Sequence, residues 1–81
     1  MIDYVLSSNI TIITNDSKNL KKLLDLEMSR KKYSRSDSEV VCDGNSLIIN
    51  IFAKDVIALK ATINNYINIL ELIKKVHEVD L

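Results

Sequence analysis

Eighty-one residues carrying eleven basic and eleven acidic side chains bound one small domain, 1–81, without the net field that would draw it onto nucleic acid or an anionic membrane. A hydrophobic share of 47% excludes a disordered chain. A domain of this size buries only roughly 60 to 65% of the surface its unfolded form exposes, so its stability margin is expected to be thin.

Proline is absent and Gly44 is the only glycine, so periodicity has to define the elements. Between Ile2 and Ile12 the apolar residues Ile2, Tyr4, Leu6, Ile10 and Ile12 fall on even positions, interrupted at Ser7-Ser8-Asn9. This spacing predicts one bent strand or two short ones. Asn15, Asp16 and Ser17 offer N-cap side chains, after which Leu20, Leu23, Leu24 and Met28 recur at helical spacing opposite a lysine-rich face. A helix over about Asp16 to Arg30 follows. The next stretch, Arg30-Lys31-Lys32-Tyr33-Ser34-Arg35-Ser36, has no acid and no apolar period and reads as a basic loop.

Glu39-Val40-Val41-Cys42 and Leu47 to Ala53 flank Asp43-Gly44-Asn45-Ser46. An Asp-Gly between β-branched runs predicts an antiparallel hairpin. Leu47, Ile49, Ile51 and Ala53 give its second strand one wholly apolar face, while Ile48 and Phe52 beside Asn50 suggest that the other face is partly covered. From Asp55, the expected cap, a helical period runs to about Val79. The fold class is therefore α+β, in the order β-α-β-β-α.

That last helix is apolar twice. Val56, Leu59, Ile63, Tyr66, Ile67, Leu70 and Ile73 form a wide stripe assigned to the sheet. Ala58, Ala61, Ile69, Leu72, Val76 and Val79, with Asn65 among them, form a second stripe centred on the order of 145° away. A polar ridge of Lys60, Asn64, Asn68, Glu71 and Lys75 separates the two. A helix of about 25 residues is about 37 Å long and outruns a strand of about 17 to 20 Å. The first helix could cover the N-terminal half of the second stripe but is too short to cover the rest, which is accordingly the expected seat of a partner: a twin, another protein's helices, or both.

Catalysis finds no support in these residues. His77 is the only imidazole and has no ligand at metal spacing, and Cys42 has no sequence-linked base. The carboxylates are scattered and one glycine cannot build a phosphate loop. No cofactor, metal or enzymatic activity of the isolated chain is expected. A lone cysteine also points to a reducing, cytoplasmic setting. The opening MIDYVLSS lacks a basic n-region, and no uncharged apolar run reaches the roughly 18 residues of a membrane span. Arg30, Lys31, Lys32 and Arg35 around Tyr33, with Lys60 and Asn64 on the ridge, are the candidate RNA contacts, able to grip phosphates and stack a base. The bland alternative is a solvated loop on a neutral protein.

The run from Ile49 to Ile67, INIFAKDVIALKATINNYI, resembles the small Pcc-type subunit of the KEOPS complex. That family's pattern is an alternating strand, Ala-x-Asp, Ala-Leu-Arg-Ala, then Asn-Ser-Tyr and an apolar helix, met here at Ala53, Asp55, Ala58, Leu59, Ala61, Asn64 and Tyr66. Two departures stand out: Lys60 replaces the usual arginine, losing its bidentate fork, and Asn65 replaces the usual serine. They suggest a divergent paralogue. The resemblance implies two helices on one face of a three-stranded antiparallel sheet. It also implies a non-catalytic dimer, homodimeric or paired with a sister subunit, that docks on the KEOPS catalytic subunit. It bridges two copies of that subunit and supports threonylcarbamoyladenosine (t6A) synthesis on tRNA, with some tRNA contact through the complex. The competing reading is a free-standing KH-like RNA-binding module, which the missing Gly-x-x-Gly clamp disfavours. A small regulatory ligand-binding domain has no polar constellation behind it.

Overall fold

The computed structural model describes residues 4–29 and 35–77. They form β1 (Leu6–Ile13), α1 (Ser17–Met28), β2 (Ser36–Asp43), β3 (Ser46–Ala53) and α2 (Val56–His77). The sheet order is β1-β3-β2 and both pairings are antiparallel. The alternating face of β3 is the floor of the core, since Leu47, Ile49, Ile51 and Ala53 are all fully buried. Leu20 and Leu24 of α1 and Tyr66, Ile69 and Ile73 of α2 pack onto it, with Ile10, Ile12 and Val40 at the flanks. The α+β, β-α-β-β-α arrangement with both helices on one sheet face is thus the observed fold.

The hairpin turns where the Asp-Gly signal predicts it. Asp43 pairs with Ser46, leaving the two-residue loop Gly44-Asn45, and Gly44 has φ 60. Both tight hairpin turns need positive φ at that first loop residue, and glycine adopts it without strain. The first strand is a single unbroken run from Leu6, because Ser7, Ser8 and Asn9 keep register with Phe52, Ile51 and Asn50. The proposed start at Ile2 lies outside the described residues. β2 begins earlier than its apolar pattern, at Ser36. Polar residues can enter a buried strand there because Ser36 Oγ lies 2.7 Å from Thr62 Oγ1 and Ser38 Oγ lies 2.6 Å from Tyr66 Oη.

The helix starts differ in mechanism. Asp55 Oδ1 accepts the Ala58 N–H at 2.8 Å, the N-cap expected from the sequence. Asp16 occupies the corresponding position of α1 but makes no side-chain cap hydrogen bond. Its carboxylate instead accepts from Asn19 Nδ2 at 3.2 Å. The start of α1 is tied to the hairpin, with Ser17 Oγ donating to Gly44 O at 2.9 Å and Cys42 Sγ to Ser17 O at 3.3 Å.

The rotation of α2 corrects the sequence expectation. Ala58 and Ile69, assigned to the outward stripe, are buried, whereas Val56 and Ile67, assigned to the sheet, are 68% and 43% exposed. The cause is Thr62, a polar residue that is only 1% exposed. Its hydroxyl donates to Ala58 O at 3.0 Å, so Ser36 supplies the proton of the bond between the two hydroxyls. The pairs Ser36–Thr62 and Ser38–Tyr66 turn the helix toward β2, and Ala58 provides the close approach this needs. By length and mean hydropathy of 1.2, Val56–Val76 would suffice for a membrane span. In this fold its apolar content serves the sheet through Ala58, Tyr66, Ile69 and Ile73.

Two substitutions separate the faces. Ile69→Ala is expected to cost about 2–4 kcal/mol in urea unfolding, and Leu72→Ala, at a half-exposed position, under about 1 kcal/mol. Asp55→Ala should remove about 1 kcal/mol of capping and lower Tm by about 4–8 °C. Asp55→Asn should keep most of that stability in the same thermal melt, because the amide oxygen can still accept the Ala58 N–H.

Candidate interaction surfaces

With α2 seated on the sheet, its solvent side carries two apolar groups. Val56 and Ile57 stand at its start, and Leu72 and Val76 near its end, the latter pair 50% and 63% exposed. Ala61 is exposed along the same side. On α1, Leu26 also faces out at 54%. Leaving such aliphatic groups in water forgoes on the order of 1.5 kcal/mol for each large one. An outward apolar helix layer of this kind is suited to receiving another protein's helices.

Of the second-stripe residues, Ala61, Leu72 and Val76 are outward and Asn65 is half-buried. Ala58 and Ile69 belong to the chain's own core, and Val79 lies outside the described residues. The polar ridge is real: Lys60, Asn64, Asn68, Glu71 and Lys75 are all exposed. Among the candidate RNA contacts, Arg30, Lys31 and Lys32 lie outside the described residues. Arg35 is exposed and engages Asp55, with Nε 3.4 Å from Oδ2 and Nη2 donating to Oδ1 at 3.4 Å. That long, half-exposed pair leaves the guanidinium largely accessible to solvent. Lys60 and Asn64, one turn apart on the ridge, share a face with no acid between them until Glu71. Periodicity missed Leu26, an apolar residue off the Leu20–Leu23–Leu24 stripe, and that mismatch is the signal that could have found it.

No group of His, Cys, Asp and Glu among the described residues could hold a metal ion. Cys42 is a free thiol, half-buried against the start of α1. The Lys21 ammonium is held above its ordinary pKa by the 2.6 Å hydrogen bond to Asp25 and by that carboxylate's charge. It is an exposed helical i,i+4 pair, of the ordinary stabilising sort.

The open face of the sheet is polar at its centre. Asn9, Asn50 and Glu39 form one cross-strand row. Asn9 Nδ2 donates to Asn50 Oδ1 at 2.8 Å and Asn50 Nδ2 to Glu39 Oε1 at 3.2 Å. Thr11 Oγ1 donates to Asn9 Oδ1 at 2.9 Å. Phe52, on the side expected to be partly covered, is 37% exposed and contacts the ring of Tyr4 at a centroid distance of 6.2 Å.

No curated protein matches the chain. The family described as "Transcription factor Pcc1" matches residues 7–78, from β1 through the end of α2. With that span and the β-α-β-β-α fold in agreement, the chain belongs to the Pcc1 family of small KEOPS subunits.

Proposed function

We propose that this chain is a non-catalytic scaffold subunit. It dimerises and docks on the KEOPS catalytic subunit, bridges two copies of it, and so supports t6A modification of tRNA in the cytoplasm. The observation that carries this reading is the outward pair Leu72 and Val76 on a helix of 22 residues, about 33 Å long. The eight-residue strands beneath it span about 26 Å. The end of the helix therefore offers apolar surface beyond what the sheet can cover. Family membership supplies the setting, and the scattered carboxylates and single thiol fit a structural role better than a chemical one.

Contact with tRNA is auxiliary in this reading. The exposed Lys60 and Asn64 suit the grip of a phosphate, and a chain with balanced charge gains RNA affinity only where the complex adds positive surface.

In co-purification with the recombinant catalytic subunit, the doubly substituted chain Leu72→Asp, Val76→Asp should remain folded by circular dichroism. It should bind at least about tenfold more weakly, a loss of about 1.4 kcal/mol or more. Reconstituted t6A synthesis should fall in parallel. Unchanged binding by this variant would remove the helix end from the docking surface.

A further inference from the structure

We propose that the outer edge of β2 receives an extended basic segment of a different protein. The segment adds to the sheet as an antiparallel fourth strand and sets an arginine or lysine beside each of Asp37 and Glu39.

β2 has one strand neighbour, β3, so half of its backbone groups have no ladder to join. Their phase is fixed at the end of the sheet, where Lys54 N–H donates to Arg35 O at 3.0 Å. Antiparallel hydrogen bonding alternates residue by residue, so Arg35, Asp37, Glu39 and Val41 turn their N–H and C=O groups to β3. Ser38 and Val40 turn theirs to the outer edge, the arrangement that templates another strand. Ser38 marks the opening directly. Its N–H donates at 2.8 Å to Oδ1 of Asp37, the residue before it, so that carboxylate stands in for the carbonyl that a neighbouring strand would supply.

Beside this edge lies a cavity of ≈ 410 Å³, with Asp25 and Met28 of α1 on one side, Ser36 to Val40 on the other and Tyr66 of α2 between them. Alternate side chains of a strand point to opposite faces, so an added segment meets two surroundings. The residue opposite Ser38 points to the helix side, into the cavity. Met28 and Val40 offer it apolar contact there, and the Ser38 and Tyr66 hydroxyls, 2.6 Å apart, form a polar floor. Its two neighbours lie on the open face opposite Asp37 and Glu39, both of which are exposed.

Charge decides the occupant. Lys21, the cation lining the cavity, is matched by Asp25 at 2.6 Å, which leaves Asp37 and Glu39 in excess. Once a strand carbonyl takes over the Ser38 N–H, Asp37 is released for a cross-strand ion pair. Glu39 gives Oε1 to Asn50 Nδ2 at 3.2 Å and has a second carboxylate oxygen to offer. Opposite charges directly across two strands stabilise the pair and like charges destabilise it. The edge therefore selects a basic–neutral–basic sequence and turns away the phosphates of RNA. Neither Leu72 nor Val76 lines this cavity, so the seat is separate from the helix end and does not depend on the docking reading above.

The test is an NMR titration of the amides of the full chain with the peptide acetyl-Thr-Arg-Thr-Arg-Thr-amide, whose central threonine meets Ser38 and whose arginines meet Asp37 and Glu39. The Ser38 and Val40 amides should shift most and gain protection from hydrogen exchange. Proline in place of the central threonine keeps both charges but removes the N–H that Ser38 O accepts, and should weaken binding roughly tenfold. Asp37→Asn with Glu39→Gln keeps the acceptors but removes the charges, and should weaken it by a similar factor. No shift, or shifts centred elsewhere, would overturn the proposal. Equal binding of the proline peptide would overturn it by reducing the contact to charge alone, and undiminished binding by the double variant would remove the selection for a basic partner. Protection of the same amides in the free chain that rises with its concentration would give the edge to another copy and overturn it as well.

Discussion

Everything else in this chain leans on β3. It is the strand with neighbours on both sides, and four consecutive inward side chains, Leu47, Ile49, Ile51 and Ala53, are wholly removed from water. At roughly 1.5–3 kcal/mol for each large aliphatic group, that row outweighs any polar contact in the molecule. It can serve only one helix layer, so both helices lie on the same side. The remaining surfaces of a three-stranded sheet, an open face and two edges, are left to be settled by other means.

Hydroxyl pairs then decide what the helix layer presents outward. Apolar packing alone leaves a helix with two greasy stripes free to rotate, since either stripe can sit on β3. Ser36–Thr62 and Ser38–Tyr66 remove that freedom, because rotating α2 would strand buried hydroxyls at a cost of about 1–3 kcal/mol each. No buried side-chain polar atom among the described residues lacks a partner, so the chosen rotation satisfies them all. The consequence is functional: Ala58 and Ile69 turn inward, and Leu72 and Val76 stay out.

What the sequence made legible follows from how local each signal was. The hairpin needed only Asp43-Gly44 between β-branched runs, and Asp55 announced α2 through the cap it supplies, so both stand where they were expected. The polar ridge from Lys60 to Lys75 was equally readable, as five polar residues at one helical spacing. The rotation of α2 was not, because it depends on serines in β2 some 26 to 28 residues away in sequence, and a polar Thr62 counts as outward in any hydrophobic pattern. The same serines hid the first half of β2. The candidate partner surface was therefore half legible, with Ala61, Leu72 and Val76 outward as read and Ala58 and Ile69 absorbed by the core.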